Sequence, residues 1–216
     1  MRDLDGYVQT QAAVLASRDD LPASLAGLIR AHAPDPLGEQ LRTREIYLRA
    51  PAADLAAWAR SCIAATGGPI LNLGCGTLTF PAPHVTNVDL SWTLLRAAGG
   101  SRLLADALDP PFMGGDFHAV VMLNLLDSCR APHILLQQAD ALLAPGGRLV
   151  LSCAFAYDDT ITPRAEQLSE AAVVAFWEDR GYAPVLGEVR WVLFTSARVQ
   201  TVYTVLTLSG QKPPAR

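Results

Sequence analysis

The chain has 216 residues, of which 50% are hydrophobic and 18% are charged, and its formal net charge is −4. This length and apolar content suit one domain with its own core and a small appendage. The net charge is negative and no Lys or Arg run stands out, so we expect no nucleic-acid partner. No apolar run reaches the roughly 18 residues of a membrane span, and the N-terminus has no signal-peptide pattern. We therefore expect a soluble, cytoplasmic protein, whose oligomeric state the sequence does not give.

The first part of the chain is predicted to be helical. Ala, Leu and Gln dominate it, and Pro34 and Pro36 interrupt the pattern. The predicted helices are Tyr7–Ala16, Leu21–His32, Leu37–Leu48 and Asp54–Ala65. Gly67 and Gly68 end the last of them.

Four short apolar segments follow, and each is predicted to be a strand that ends on a glycine or a polar residue. Ile70 to Leu73 runs into Gly74-Cys-Gly76, which indicates a buried parallel strand and a glycine turn. The next three predicted strands are Val85–Asp89, Arg102–Asp106 and Phe117–Asn124. In an open α/β sheet, ligands bind outside such carboxyl ends. An acid after the second strand can accept ribose hydroxyl protons, and an acid after the third can accept an adenine amino group.

The remaining elements complete a mixed sheet. We expect helices at Ser91–Ala98, His133–Leu143 and Glu170–Arg180, a fifth strand at Gly147–Cys153, and an antiparallel pair at Val189–Phe194 and Gln200–Leu208. The predicted fold is therefore α/β and Rossmann-like. It has a seven-stranded, mostly parallel sheet with an antiparallel last strand and helices on both faces.

The glycine turn alone is a weak signal, because a plain turn or an NAD site would also contain it. The NAD fingerprint requires a third glycine where Thr79 stands. With the acids in order, and with Ala144-Pro-Gly-Gly147 before the fifth strand, the chain resembles class I S-adenosylmethionine-dependent methyltransferases over roughly residues 60 to 210. One departure is Leu78, which replaces the third glycine of the family motif.

The resemblance implies S-adenosylmethionine as the cofactor and assigns residues to it. It implies a helical lid at residues 1–60, a methyltransferase core at 61–210 and a flexible tail at 211–216. Arg42, Arg44 and Tyr47 would either reach the methionine carboxylate or be ordinary surface and packing residues. The cofactor-binding residues carried over are Asn72, Gly74, Cys75, Gly76, Asp89, Leu90, Asp106, Ala107, Asn124 and Leu125.

A narrower resemblance concerns the acceptor of the methyl group. Asn124-Leu-Leu-Asp127 is similar to the signature of histidine N-methyltransferases, both the protein-histidine enzymes and the mercaptohistidine domain of ovothiol biosynthesis. A carboxylate that accepts one imidazole N–H leaves the other ring nitrogen free to attack. By this match Asp127, Asn124 and Tyr203 would be catalytic, and the substrate would be a histidine-derived small molecule or a peptide.

Two alternatives to an imidazole N-methyltransferase stay open. The run after Ser152 lacks the aromatic, proline-containing segment of the ovothiol domain, and no sulfoxide-synthase module precedes it, so we expect the chain not to be the complete ovothiol enzyme. It could instead be an O- or N-methyltransferase for an unrelated natural product. Leu78 is the one feature that favours a non-catalytic protein that binds S-adenosylmethionine.

The cysteines indicate no metal site. Cys62, Cys75, Cys129 and Cys153 show neither a C-x-x-C pair nor a histidine at zinc-finger spacing. We expect buried free thiols.

Overall fold

The computed structural model describes residues 50–76, 78–80, 84–95, 98–196 and 199–215. The first three predicted helices lie outside these residues, as do Arg42, Arg44 and Tyr47. Among the described residues, no helix is both long enough and apolar enough to cross a membrane.

A single seven-stranded sheet organises the described part of the chain. Its strands are β1 (Ile70–Leu73), β2 (Val85–Asp89), β3 (Ser101–Leu104), β4 (Phe117–Leu123), β5 (Leu143–Cys153), β6 (Val185–Ser196) and β7 (Val199–Gln211). Their order is β3-β2-β1-β4-β5-β7-β6. Strands β1 to β5 pair in parallel, and β7 is antiparallel to both β5 and β6. This confirms the predicted α/β fold.

The described residues include four α-helices: α1 (Ala50–Ile63), α2 (Trp92–Leu95), α3 (Pro132–Leu142) and α4 (Glu170–Glu178). The first precedes β1, and the other three connect strands. Ser91 and Ser169 cap α2 and α4, since their hydroxyls accept the N–H groups of Leu94 and Ala172. Several predicted bounds were wrong by a few residues. The third strand ends at Leu104, so Asp106 lies two residues beyond it. The fifth begins at Leu143, because Leu143 already pairs with Phe117 ahead of the Pro-Gly-Gly turn.

Alternating residues of the central strands pack into two hydrophobic cores, one on each face of the sheet. In β4, Val120 and Met122 join a cluster that includes α3 and α4, with Trp177 fully buried. Ala119 and Val121 point the other way, into a cluster that includes Leu55 and Ala59 of α1. This period of two is what a strand covered on both faces requires, and it confirms helices on both faces.

The β6–β7 hairpin is longer than the strand beside it. β7 pairs with β5 only from Leu206 to Gln211, whereas it pairs with β6 from Val199 onward. Residues 199–205 therefore continue past Cys153, the last residue of β5, by roughly 20 Å at the rise of an extended strand. The hairpin thus stands beyond the carboxyl edge of the sheet.

Candidate active site

The glycine turn after β1 is tied to the acid at the end of β2. Gly74 and Gly76 have φ of 58° and 50°, in the left-handed region that favours glycine. The N–H of Gly76 donates to Asp89 Oδ2 at 2.8 Å, and the N–H of Ser91 donates to Oδ1 at 2.8 Å. Asp89 stays partly exposed, beside Leu90. A carboxylate at this position is the type of acceptor that a ribose hydroxyl can donate to.

Leu125 packs directly on the glycine turn. A Cβ at Gly74 would lie 2.4 Å from Cδ1 of Leu125, which no real contact tolerates. The absence of a side chain at Gly74 therefore lets the residue after β4 approach the end of β1. Both residues were assigned to the cofactor by sequence, and the structure brings them together.

Two of the assigned residues are buried beneath the turn. Asn72 is 1% exposed, and its Nδ2 donates to Leu78 O at 3.0 Å and to Asn87 Oδ1 at 2.9 Å. Asn87 in turn donates to Gly99 O at 2.9 Å. This amide chain holds the loops after β1 and β2. Cys75 is buried as well, and burial, with the charge of Asp89, raises the pKa of its thiol well above the ordinary value.

Asp106 is almost fully buried and already has partners. Its Oδ1 accepts the N–H of Leu108 at 2.9 Å, and its Oδ2 accepts from Nη1 of Arg130 at 2.9 Å. Ala107, also assigned to the cofactor, is buried beside it. Sequence reasoning missed Arg130, because 24 residues separate it from its partner.

Asn124 follows β4 in an unusual backbone conformation. Its φ is 50°, which Asn tolerates better than most residues. The hydroxyl of Ser152 accepts its N–H at 3.1 Å and donates to its Oδ1 at 2.9 Å. A flipped amide would leave that hydroxyl proton unused, so this network fixes the orientation. Nδ2 of Asn124 is buried and has no hydrogen-bond partner among the described residues.

Asp127 holds the segment after β5 rather than a helix end. The N–H of Ala156 donates to its Oδ2 at 3.1 Å, and the N–H groups of Asp127 itself and Ala154 and the Cys153 thiol also bond to the carboxylate. Neither the 3-10 turn at Leu126–Ser128 nor α3 has a side-chain cap. Asp127 is 7% exposed, and this burial raises the pKa of its carboxyl group despite these donors.

The two thiols near Asp127 are protonated. Burial raises the pKa of Cys129 to about 12 and that of Cys153 further still, with the charge of Asp127 adding to both. Cys75 and Cys153 are buried free thiols as expected, whereas Cys62 and Cys129 are partly exposed. Among the described residues, no group of three or more His, Cys, Asp or Glu could hold a metal ion.

The segment after β5 borders an open, solvent-accessible cavity of about 510 Å³. Phe155, with φ of 53°, and Tyr157 form its aromatic part, and Arg164, Gln167 and Glu170 contribute polar groups. The Tyr157 hydroxyl donates to Leu168 O at 3.0 Å and accepts Leu168 N–H at 3.1 Å.

Hydrogen bonds of Asp158, Asp159 and Thr162 hold the same segment in place. Asp158 accepts from Thr160, and Asp159 accepts from Arg164 at 2.7 Å and Gln167 at 2.9 Å. The Thr162 hydroxyl donates to Cys129 O at 2.7 Å. These residues therefore shape the cavity.

Tyr203 lies on the projecting hairpin, opposite Trp191. The two rings are 5.3 Å apart and tilted by 35°. Leu78 and Ala154 pack against the same cluster. Leu78 therefore uses its side chain for packing between the glycine loop and the hairpin, which accounts for the missing third glycine.

A family model described as a methyltransferase domain matches residues 71–151, from β1 to β5. The match covers the glycine turn, both acids and the Asn124–Asp127 segment in the order that the fold places them. Residues 71–151 therefore form a methyltransferase domain, and S-adenosylmethionine is the cofactor that such a domain implies. None of the curated proteins matches this methyltransferase significantly.

Solved structures share the fold at low identity. A possible histamine N-methyltransferase from Thermotoga maritima is 17% identical, with a TM-score of 0.55 over 82% of this chain and 96% of that one. A chain from the complex of the Haloferax volcanii Trm112 methyltransferase activator with a methyltransferase is 16% identical, with a TM-score of 0.60 over 83% and 94%. A structure concerned with converting a disulfide into a thioacetal in echinomycin biosynthesis is 17% identical, with a TM-score of 0.53 over 73% and 81%. In all, 434 chains match, so the fold alone selects no substrate.

Proposed function

We propose that this methyltransferase transfers its methyl group to a ring nitrogen of an imidazole, in a histidine-derived small molecule or a peptide. The observation that carries the proposal is the buried Nδ2 of Asn124, which has no hydrogen-bond partner in the described part of the chain. The same segment holds the buried side chain of Asp127. A buried donor without a protein partner calls for an explanation, and a bound ligand is one.

The cofactor would be held at the carboxyl edge of β1 to β4. The turn at Gly74 and Gly76 offers close backbone approach, Asp89 would accept from the ribose, and Asp106 would accept from the adenine amino group. Cys75, Leu90, Ala107 and Leu125 would border these contacts. Asn72 would support the site through the loop that it bonds. When bound, S-adenosylmethionine supplies an electrophilic methyl group on a positively charged sulfur.

Asn124 and Asp127 would orient the acceptor. One ring nitrogen would offer its lone pair to the methyl group that S-adenosylmethionine would supply, and S-adenosylhomocysteine would leave. Asp127 would accept the N–H of the other ring nitrogen, stabilise the positive charge that develops on the ring, and take up its proton for release to solvent. A raised pKa suits this base, because it brings proton affinity closer to neutral pH. Asn124 would donate to an acceptor atom elsewhere on the substrate, and Tyr203 would contact the ring.

Two further observations support this reading. The Thermotoga maritima structure is described as a possible histamine N-methyltransferase, and histamine carries an imidazole. The open cavity of about 510 Å³ has a volume within the range of small-ligand sites, and Ala156, whose N–H bonds Asp127, lies between its lining residues Phe155 and Tyr157. Its aromatic lining and the echinomycin-related structure equally favour the second candidate, a methyltransferase for another natural product.

The test is a turnover panel with S-adenosylmethionine and imidazole, histidine, histamine, a histidine-containing dipeptide, tyramine and a simple amine. Mass spectrometry would detect a gain of one methyl group. We expect methylation of at least one imidazole, and a loss of about a hundredfold or more in turnover for Asp127→Asn and Asn124→Asp. Asp116→Asn, which changes an exposed carboxylate just before the start of β4, is the matched control and should stay within about twofold. Turnover of phenols or amines alone would contradict the proposal. Full activity of Asp127→Asn would favour transfer by proximity.

A further inference from the structure

Arg130 lies between β4 and α3, and no sequence motif assigns it to the cofactor site. Its guanidinium donates to Oδ2 of Asp106 at 2.9 Å. The Asp106 side chain is 3% exposed and that of Arg130 is 49% exposed. The ion pair therefore has one buried end, where removal of the partner leaves an uncompensated charge.

The pair connects two segments at the carboxyl edge of the sheet, where the cofactor contacts are proposed. Asp106 follows β3, and Arg130 lies between β4 and α3. In the sheet, β2 and β1 lie between β3 and β4, so the two segments follow strands that are roughly 14 Å apart. The glycine turn and Asp89 follow those two inner strands. The ion pair thus borders the edge at which the cofactor contacts are proposed.

The carboxylate is fixed at both oxygens. The N–H of Leu108 holds Oδ1 at 2.9 Å, while Arg130 holds Oδ2. A charge-assisted bond restrains the carboxylate more strongly than a neutral one. Because each oxygen can accept a second bond, the fixed carboxylate keeps acceptor capacity in a set direction.

We propose that Arg130 is a positioning residue of the cofactor site, which holds the Asp106 carboxylate in the orientation that recognises the adenine amino group. The inference rests on the proposed contact between Asp106 and adenine. It predicts that Arg130 governs discrimination between bases. A purely structural ion pair would change the affinity for every ligand equally.

The experiment compares calorimetric binding of S-adenosylhomocysteine and S-inosylhomocysteine, which has an oxo group in place of the amino group. The wild type should prefer the adenosyl ligand by about tenfold or more, as for a hydrogen bond to a charged acceptor. Arg130→Met should bind S-adenosylhomocysteine about tenfold more weakly and lose most of the preference. Arg130→Lys should recover part of it, because Lys restores the charge but not the planar fork. Arg180→Met, which breaks the ion pair with Asp140 near the C-terminal end of α3, is the control and should bind both ligands as the wild type does.

Binding of the two ligands needs no methyl acceptor, so the binding experiment is independent of the acceptor panel. A wild type without base preference overturns the Asp106 contact and the inference with it. A preference that Arg130→Met retains overturns the role of Arg130 alone. A failed imidazole panel affects neither result. Thermal unfolding without ligand shows whether each variant is folded. If Arg130→Met does not fold, Arg130→Lys and Arg130→Gln replace it in the test, and both should show a reduced preference for the adenosyl ligand.

Discussion

Ser152 of β5 and Asn124 after β4 form a reciprocal pair, in which one hydroxyl accepts the Asn124 N–H at 3.1 Å and donates to its Oδ1 at 2.9 Å. The carbonyl of Ser152 accepts the same N–H at 2.9 Å. Ser152 is fully buried, so water does not compete for these bonds. The pair therefore sets which way the Asn124 amide presents its N–H groups.

Ser152→Ala should lower turnover by about tenfold or more, because the Asn124 amide loses the donor that orients it. The free energy of unfolding should fall by only about 1 kcal/mol, since the backbone bond remains. Steady-state kinetics on the acceptor found in the panel, together with urea unfolding, would measure both effects. Ser209→Ala on β7 removes another buried hydroxyl and should leave turnover unchanged. Normal turnover in Ser152→Ala would show that the orientation is unimportant.

Gly74→Ala tests the contact between the glycine turn and Leu125. The new Cβ would lie 2.4 Å from Leu125 Cδ1, at a φ of 58°. We expect a loss of about 2–3 kcal/mol in the free energy of unfolding without ligand, from strain and overpacking together. At Gly76, where φ is 50° and no atom lies within 4 Å of the added Cβ, alanine should cost only about 1 kcal/mol.

The double variant Gly74→Ala with Leu125→Ala separates the two contributions. Because it removes the overlapping methyl groups, it should lose less stability than the single-variant losses added together. Additive losses would show that Leu125 moves aside at no cost. Denaturant unfolding of all four variants and the wild type would decide between these outcomes.

The sequence predicted the sheet because its signals are local. Ile70–Leu73 is a short buried run that ends on glycine, and the structure gives the strand with those bounds. Val85–Asp89 was likewise confirmed, and β6 and β7 pair antiparallel as their β-branched residues indicated. Element ends were less certain, as at Asp106, because a strand ends where its neighbour stops pairing.

Side-chain partners across the fold could not be predicted in the same way. Asp127 bonds to Ala156 and Asp106 to Arg130, at separations of 29 and 24 residues. No spacing rule links such positions, since only the folded loops bring them together. The sequence did mark Asp127 as important through its motif, but it gave no sign that the carboxylate holds the turn at Phe155. The roles assigned to Asn124, Asp127 and Tyr203 remain predictions.

Asp127 should make stability depend on pH. Burial raises its pKa above the ordinary value of 3.8, so the folded state binds the proton more tightly than the unfolded state. The contribution of Asp127 to the free energy of unfolding therefore falls as pH rises from about 3.8 to the raised pKa, and it is constant above that pKa. Asp127→Asn removes this titration. Urea unfolding from pH 4 to 8 should show the wild type losing stability relative to the variant over that window. A constant difference would contradict the raised pKa.

Tyr157→Phe tests whether the cavity phenol is a structural bridge or a base. Its pKa is raised to about 12 by burial, so the phenol stays protonated at neutral pH and cannot accept a proton from the substrate. Its hydroxyl instead joins both backbone groups of Leu168. Phe should therefore cost about 1–2 kcal/mol of stability, because those groups lose their partner. The pH profile of kcat below pH 10 should keep its shape, since no titrating group is removed. Disappearance of a basic limb from that profile would instead identify Tyr157 as a participant in proton transfer.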